Sequence, residues 1–298
     1  MNQQSKEEYV RAVRLLPPSL RNAALELPGE ILERAEEFRL RVGRPASLVY
    51  LGREAIIDPS HILSEPELQI MLEIATRSSA QSYQDSIRSG YVTAEGGCRV
   101  GLCGTVAVDS AGKVSAMRRF SSLCVRIPRE KRGCADNLMS MLTEPEFCST
   151  LIISPPGGGK TTLLREVTRR LSDGGMRISV CDERSEIAGV WEGKPCFDLG
   201  AKSDVLNGAP KEEGILMLLR TMSPQIIAFD EITTPGDIAA AERAANCGVK
   251  LLATAHCGGL EELSQRELYK GMLEKRIFRR AVIIRNEWGR RSYICREL

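Results

Sequence analysis

The sequence predicts an α/β protein of two parts, a smaller α+β domain over residues 1–133 and a domain built on a parallel sheet over residues 134–298. Three observations carry this. After residue 135, short apolar runs alternate with segments of helical period, the rhythm of a parallel sheet covered on both faces. Before it, helical and strand-like patterns are mixed, with frequent turn signals. In the second part Leu151-Ile152-Ile153 runs into Ser154-Pro155-Pro156-Gly157-Gly158-Gly159-Lys160-Thr161-Thr162 and then a helical stretch over 163–171, which gives strand, glycine-rich loop and helix.

Residues 8–27 read as one or two short helices broken at Pro17-Pro18. Glu37-Phe38-Arg39-Leu40-Arg41-Val42 alternates charged and apolar residues, the period of a half-buried strand. Gly43-Arg44-Pro45 turns the chain into the returning strand Ser47-Leu48-Val49-Tyr50-Leu51. Ser64-Glu65-Pro66-Glu67 is a helix start, with Ser64 as N-cap, Glu67 closing a capping box and Leu68, Met71, Leu72 and Ala75 forming one apolar face. A second helical piece extends to about residue 88, with Gly90 as its stop. Residues 91–127 are β-like, with turns at Gly96-Gly97 and Asp109-Ser110-Ala111-Gly112 separating runs such as 99–108 and 121–127. The basic stretch 126–132 reads as a connector. A helix over 136–143 opens the second part, strands follow at 177–181, 226–229 and 249–254, and a helix over 235–247 stops at Gly248. The tail, 281–286 and 292–295 around Trp288-Gly289-Arg290, reads as a final hairpin.

Composition narrows the function classes. A chain of 298 residues with 43% hydrophobic and 27% charged residues is ordinary for a soluble globular protein. A net charge of +2 supplies no global field toward nucleic acid or membrane. No apolar run has the length of a membrane span, and the polar N-terminus lacks a signal peptide's apolar core. The ten cysteines include no Cys-x-x-Cys, and two histidines build no metal-ligand spacing. The cysteines read as reduced, small hydrophobes of a cytosolic protein.

The glycine-rich loop carries the chemistry. Backbone amides of Pro156 to Thr162 (through Gly157, Gly158 and Gly159) form a cradle for phosphate oxygens, although proline itself contributes no N–H. Lys160 reaches the β and γ phosphates, and Thr161 offers a hydroxyl to Mg²⁺. The usual pattern starts with Gly, and here Ser154 stands in its place. Ile226-Ile227-Ala228-Phe229-Asp230-Glu231 is an apolar strand ending in two acids, expected beside the loop strand, with Asp230 as metal ligand and Glu231 as general base. Asp182-Glu183-Arg184-Ser185-Glu186 follows another strand expected to end beside the loop, which makes Glu183 a second candidate base. His256 ends the strand Leu251-Leu252-Ala253-Thr254-Ala255, a position from which a polar side chain can sense the γ-phosphate.

This order of motifs resembles the secretion ATPases of type II and type IV systems, in which an α+β domain precedes a RecA-like P-loop domain. Leu218-Leu219-Arg220-Thr221-Met222-Ser223-Pro224-Gln225-Ile226-Ile227 is similar to the Leu-Arg-x-x-x-Pro-Asp-x-Ile run before their acidic strand. Asp230 stands where those ATPases usually carry Gly. More narrowly, the chain resembles the stage III sporulation AA family of endospore-forming bacteria. The residues that carry this likeness are Phe38-Arg39-Leu40-Arg41-Val42-Gly43-Arg44-Pro45, the stretch 101–132 with Ser121-Ser122-Leu123, and the loop from Ser154, whose serine that family shares. The resemblance implies an ATP- and Mg²⁺-dependent ATPase, assembled as a hexamer. It would sit on the cytoplasmic face of the mother-cell membrane and drive or gate a channel made of integral membrane partners. It also implies a catalytic role for Glu183, and for Arg118, Arg119 or Arg126 acting across a subunit or domain interface.

Two rival readings use the same loop. A RecA-like ATPase on single-stranded nucleic acid would need stacking aromatics, and only 5% of residues are aromatic, so nucleic acid is disfavoured. A non-hydrolysing, nucleotide-gated assembly factor would not need the candidate bases Glu183 and Glu231.

Overall fold

The computed structural model describes residues 3–77, 84–287 and 290–298. The start of the second helical piece (78–83) and the hairpin turn Trp288-Gly289 lie outside the described residues. Two compact units emerge, Met1–Arg129 with Gly189–Cys196, and Glu130–Ala188 with Phe197–Leu298.

In the first unit α1 (Gln3–Val13), α2 (Pro18–Leu25) and α3 (Gly29–Glu33) precede β1 (Ala35–Arg41), β2 (Ser47–Tyr50) and β3 (Arg53–Ile56). The last of these is a strand that its charged sequence conceals. Then come α4 (Glu65–Thr76), α5 (Gln84–Arg88), β4 (Tyr91–Ala94), β5 (Cys98–Val108) and β6 (Val114–Arg126). Helix α4 starts with the expected capping box, and the expected face of Leu68, Met71, Leu72 and Ala75 is buried. The strands form one antiparallel sheet in the order β3-β2-β1-β6-β5-β4. Strand β6 carries three bulges against β5: the register slips past Ser121, Arg118 and Ser115 in turn. The slip at Arg118 breaks the inside–outside alternation, so Arg118 and Arg119 are both exposed. A Cβ on Gly104, opposite this region, would run into the Arg119 carbonyl oxygen.

The second unit contains α6 (Asp136–Thr143), β7 (Thr150–Ser154), α7 (Lys160–Asp173), β8 (Ile178–Asp182), β9 (Ser203–Asn207) and α8 (Lys211–Thr221). It continues through β10 (Ile226–Glu231), α9 (Pro235–Asn246), β11 (Lys250–His256), α10 (Leu260–Gln265), α11 (Glu267–Glu274), β12 (Arg280–Glu287) and β13 (Arg290–Glu297). The sheet order is β13-β12-β7-β11-β10-β8-β9, parallel throughout except for β13. Strands β7 and β8 are buried at every residue, as a sheet covered by helices on both faces requires.

This order corrects two expectations. The acid-ending strand β10 does not adjoin the loop strand β7, because β11 pairs with both and lies between them. Strand β8, which ends at Asp182, stands one place further out again, beyond β10. The physical reason is that β7, β8, β10 and β11 are all buried, apolar runs of similar length. Nothing in such runs encodes which neighbours which; the crossover helices decide it.

Candidate functional site

The loop between β7 and α7 exposes Pro155, Pro156 and Gly157 and buries Lys160. Gly157 and Gly159 adopt φ of 73° and 97°, a region open to glycine at little cost. A Cβ on Gly158 would collide with the Ser154 hydroxyl, which itself donates to the Pro155 carbonyl at 3.0 Å. Serine at the first position of the loop and glycine at the fifth are therefore a matched pair: one side chain fills what the other leaves open.

Lys160 is the first residue of α7, so its charge sits where the helix amides converge. Its Nζ donates to the carbonyls of Ser154 at 2.8 Å and Pro155 at 3.2 Å, and lies 2.6 Å from His256 Nδ1. An ammonium only donates, so Nδ1 must accept. The imidazole is then neutral, with its proton on Nε2, 2.9 Å from Glu231 Oε2. Burial and the Lys160 charge lower the His256 pKa, in keeping with that neutral form. Burial also lowers the Lys160 pKa, opposed by Glu231. The interposed strand β11 thus connects the loop lysine to the acid of β10.

A second chain of charges lies beyond it. Lys211, the first residue of α8, is 4% exposed. Its Nζ bonds Glu183 Oε2 at 2.6 Å and lies 3.0 Å from Asp230 Oδ1. Burial opposes its charge, yet Asp230 and Glu183 together raise its pKa. Sequence reasoning missed this residue. The signal was present: a lysine in the first turn of a helix opposes the helix dipole and calls for a specific carboxylate.

Asp182 is fully buried and accepts from the backbone amides of Glu186, Ile187 and Ala188 at 2.8–3.2 Å. It shapes the acid-rich segment rather than facing a ligand. Glu186, also missed, adds negative charge felt by Asp182, Asp230 and His256. Thr161 and Thr162 are half-buried on the first turn of α7. Arg118, Arg119 and Arg126 are exposed on β6 of the first unit.

Asp230 is the test of a divalent metal. Burial pushes its pKa up to about 6, against the pull of Lys211. Its Oδ1 is within ion-pair distance of Lys211 yet makes no hydrogen bond of acceptable geometry. A buried carboxylate oxygen left short of a partner fits an additional cation. Among the described residues no group of three or more His, Cys, Asp or Glu side chains could hold a metal unaided. That donor set suits Mg²⁺, which binds through one or two carboxylates together with substrate phosphates.

The chain is similar to a known family and to solved structures. The profile of the family described as "Sporulation stage III, protein AA" matches residues 4–293. The chain is 36% identical over 271 residues to "Stage III sporulation protein AA" of Bacillus subtilis (strain 168), covering 89% of this chain and 87% of that protein. Among solved structures, the pilus retraction motor PilT with bound ADP superposes with a TM-score of 0.62 at 16% identity, over 92% of this chain and 82% of that one. The ATPase DotB of Legionella pneumophila gives 0.58 at 19% identity, over 89% and 76%. At these identities the two structures show a shared fold. Among the described residues no helix is long and apolar enough to cross a membrane.

Proposed function

The chain belongs to the sporulation stage III, protein AA family, and from that premise we propose that it is an ATP hydrolase that powers or gates a secretion-like channel between mother cell and forespore during endospore formation. The observation that carries this reading is the continuous path Lys160–His256–Glu231, which joins a phosphate-binding loop to an acid able to activate water.

ATP phosphates lie on the amides of the loop from Pro156 to Thr162 and on Lys160. The ammonium has three donors, and it exchanges part of its bonding to Ser154, Pro155 and His256 for phosphate oxygens. His256 then loses its Nδ1 partner while Nε2 still faces Glu231, so occupancy of the loop is felt at the acid. Glu231 orients and deprotonates the attacking water. Glu231 is linked to Lys160 through His256, whereas Glu183 is bonded to Lys211, which favours Glu231 as the base. Thr161 and Asp230 would hold Mg²⁺, which when bound supplies neutralisation of charge on the β and γ phosphates. Arg118, Arg119 or Arg126 neutralises charge on a nucleotide held by a neighbouring copy, in a hexamer docked peripherally on integral membrane components of the channel at the inner face of the mother-cell membrane.

The test is phosphate release from ATP by wild type, Lys160→Ala, Glu231→Gln and Glu183→Gln across a range of protein concentration. Turnover that rises with assembly, vanishes in Lys160→Ala and falls further in Glu231→Gln than in Glu183→Gln is expected. Unchanged turnover in Lys160→Ala would remove the site.

A further inference from the structure

The loop has two flanks. On one, β11 and β10 carry His256, Asp230 and Glu231. On the other, β7 pairs with β12, which pairs antiparallel with β13, and α6 packs on β13. That second flank holds a cavity of about 620 Å³, within the size range of small-molecule sites, roughly 300–1,000 Å³. Its walls are mixed. Leu138 and Met141 of α6 are apolar; Asn137 and Tyr293 are polar; Lys131 and Arg291 are cationic. Tyr293 and Cys134 line it side by side, and burial raises the pKa of both.

Arg291 belongs to both places. It lines the cavity, and its guanidinium also covers the loop: a Cβ on Gly159 would come within 2.5 Å of Nη1, 2.6 Å of Cζ and 3.0 Å of Nη2. Gly159 immediately precedes Lys160, so a guanidinium there stands at the edge of the phosphate cradle. A nucleoside triphosphate lying with its terminal phosphate toward Glu231 must send its other end away from β11, toward β12 and β13.

We propose that this cavity takes the nucleoside end, base and ribose, of a nucleotide whose phosphates lie in the loop, and that Arg291 contacts the nucleotide at the junction of the two. The proposal rests on the reading of the loop as a phosphate binder. Met141 offers apolar cover to a base, Asn137 offers an amide to its polar edge, and Lys131 and Arg291 attract the anion.

Binding, measured by calorimetry, tests it with ATP, ADP and inorganic tripolyphosphate against wild type, Asn137→Trp, Met141→Trp, Arg291→Ala and Lys160→Ala. Asn137 and Met141 are exposed on α6, so either tryptophan fills the cavity without entering the core. Both tryptophan variants should weaken ATP and ADP by about tenfold or more and leave tripolyphosphate within about twofold. Arg291→Ala and Lys160→Ala should weaken all three ligands. The cavity assignment is overturned if both tryptophan variants keep wild-type affinity for ATP, or if wild type binds tripolyphosphate as tightly as ATP. Wild type that binds neither ATP nor tripolyphosphate overturns the phosphate-loop reading, and the cavity assignment with it.

Discussion

The two sheets place their candidate residues in opposite ways. In the antiparallel sheet of the first unit, Arg118, Arg119 and Arg126 stand on the solvent side of β6, one of them brought out by a bulge. In the second unit, Lys160, His256 and Glu231 are tied in one chain of contacts, and Lys211, Glu183 and Asp230 in another. The exposed arginines can be pointed at something outside their own unit and cost little to change. The tied group is set by its own neighbours, and to remove any member leaves another charge without its partner. The lesson is that a shared list of candidate residues can hide two kinds of site, one waiting for a surface and one already assembled.

The sharpest way to break this contrast is Lys160→Ala. Phosphate release should fall by about 10²-fold or more, since the variant removes a charged donor at the phosphates. Next is Lys211→Met. It leaves Asp230 and Glu183 without their counter-charge, Asp230 almost wholly buried, and should lower unfolding free energy in denaturant by about 3–5 kcal/mol. Pairing it with Asp230→Asn should recover part of the loss. By contrast, replacing Arg118 and Arg119 with alanine should change stability by no more than about 0.5 kcal/mol per site. Equal losses from the two experiments would erase the distinction.

Two glycines sharpen it further. Gly158→Ala and Gly104→Ala each place a methyl where there is no room, at about 1–3 kcal/mol each. The obstacle at Gly158 is the Ser154 side chain, so Ser154→Gly added to Gly158→Ala should restore most of the thermal stability. The obstacle at Gly104 is the Arg119 backbone, and no side-chain change at Arg119 should rescue it.

The smallest effect is a titration. His256 should titrate below 6.5 in the folded protein, read by NMR with His256→Gln assigning the signal between the two histidines. The sign follows from its depressed pKa. On acidification through about 6.5 the unfolded chain takes up this proton first, so the stability His256 contributes above that pH is lost as pH falls through the folded value. A His256 signal that titrates above 6.5 would contradict the neutral, Nε2-protonated ring.

Much of this was legible in the sequence, and the failures share a cause. The loop, the capping box at Ser64 and the buried strands are local patterns, so local reading finds them. The order of the strands is not local. It moved the Asp230–Glu231 strand one place from the loop, and it set His256 between Lys160 and Glu231. What Lys211 and Arg291 lie against is distant in sequence, Glu183 and Asp230 for one and Gly159 for the other, so local reading does not find it.

Strand β7 has a consequence for how the protein comes into being. Both of its partners, β11 and β12, come from the final fifth of the chain. A chain emerging from the ribosome therefore carries the phosphate loop long before that loop's strand has either neighbour. Local structure cannot complete it, and the non-local pairing that can is slow to form. During synthesis this wholly buried strand waits with both edges open, which makes it a natural segment for a chaperone to hold. The unit that carries the glycine-rich loop is, in order of birth, among the last parts to become whole.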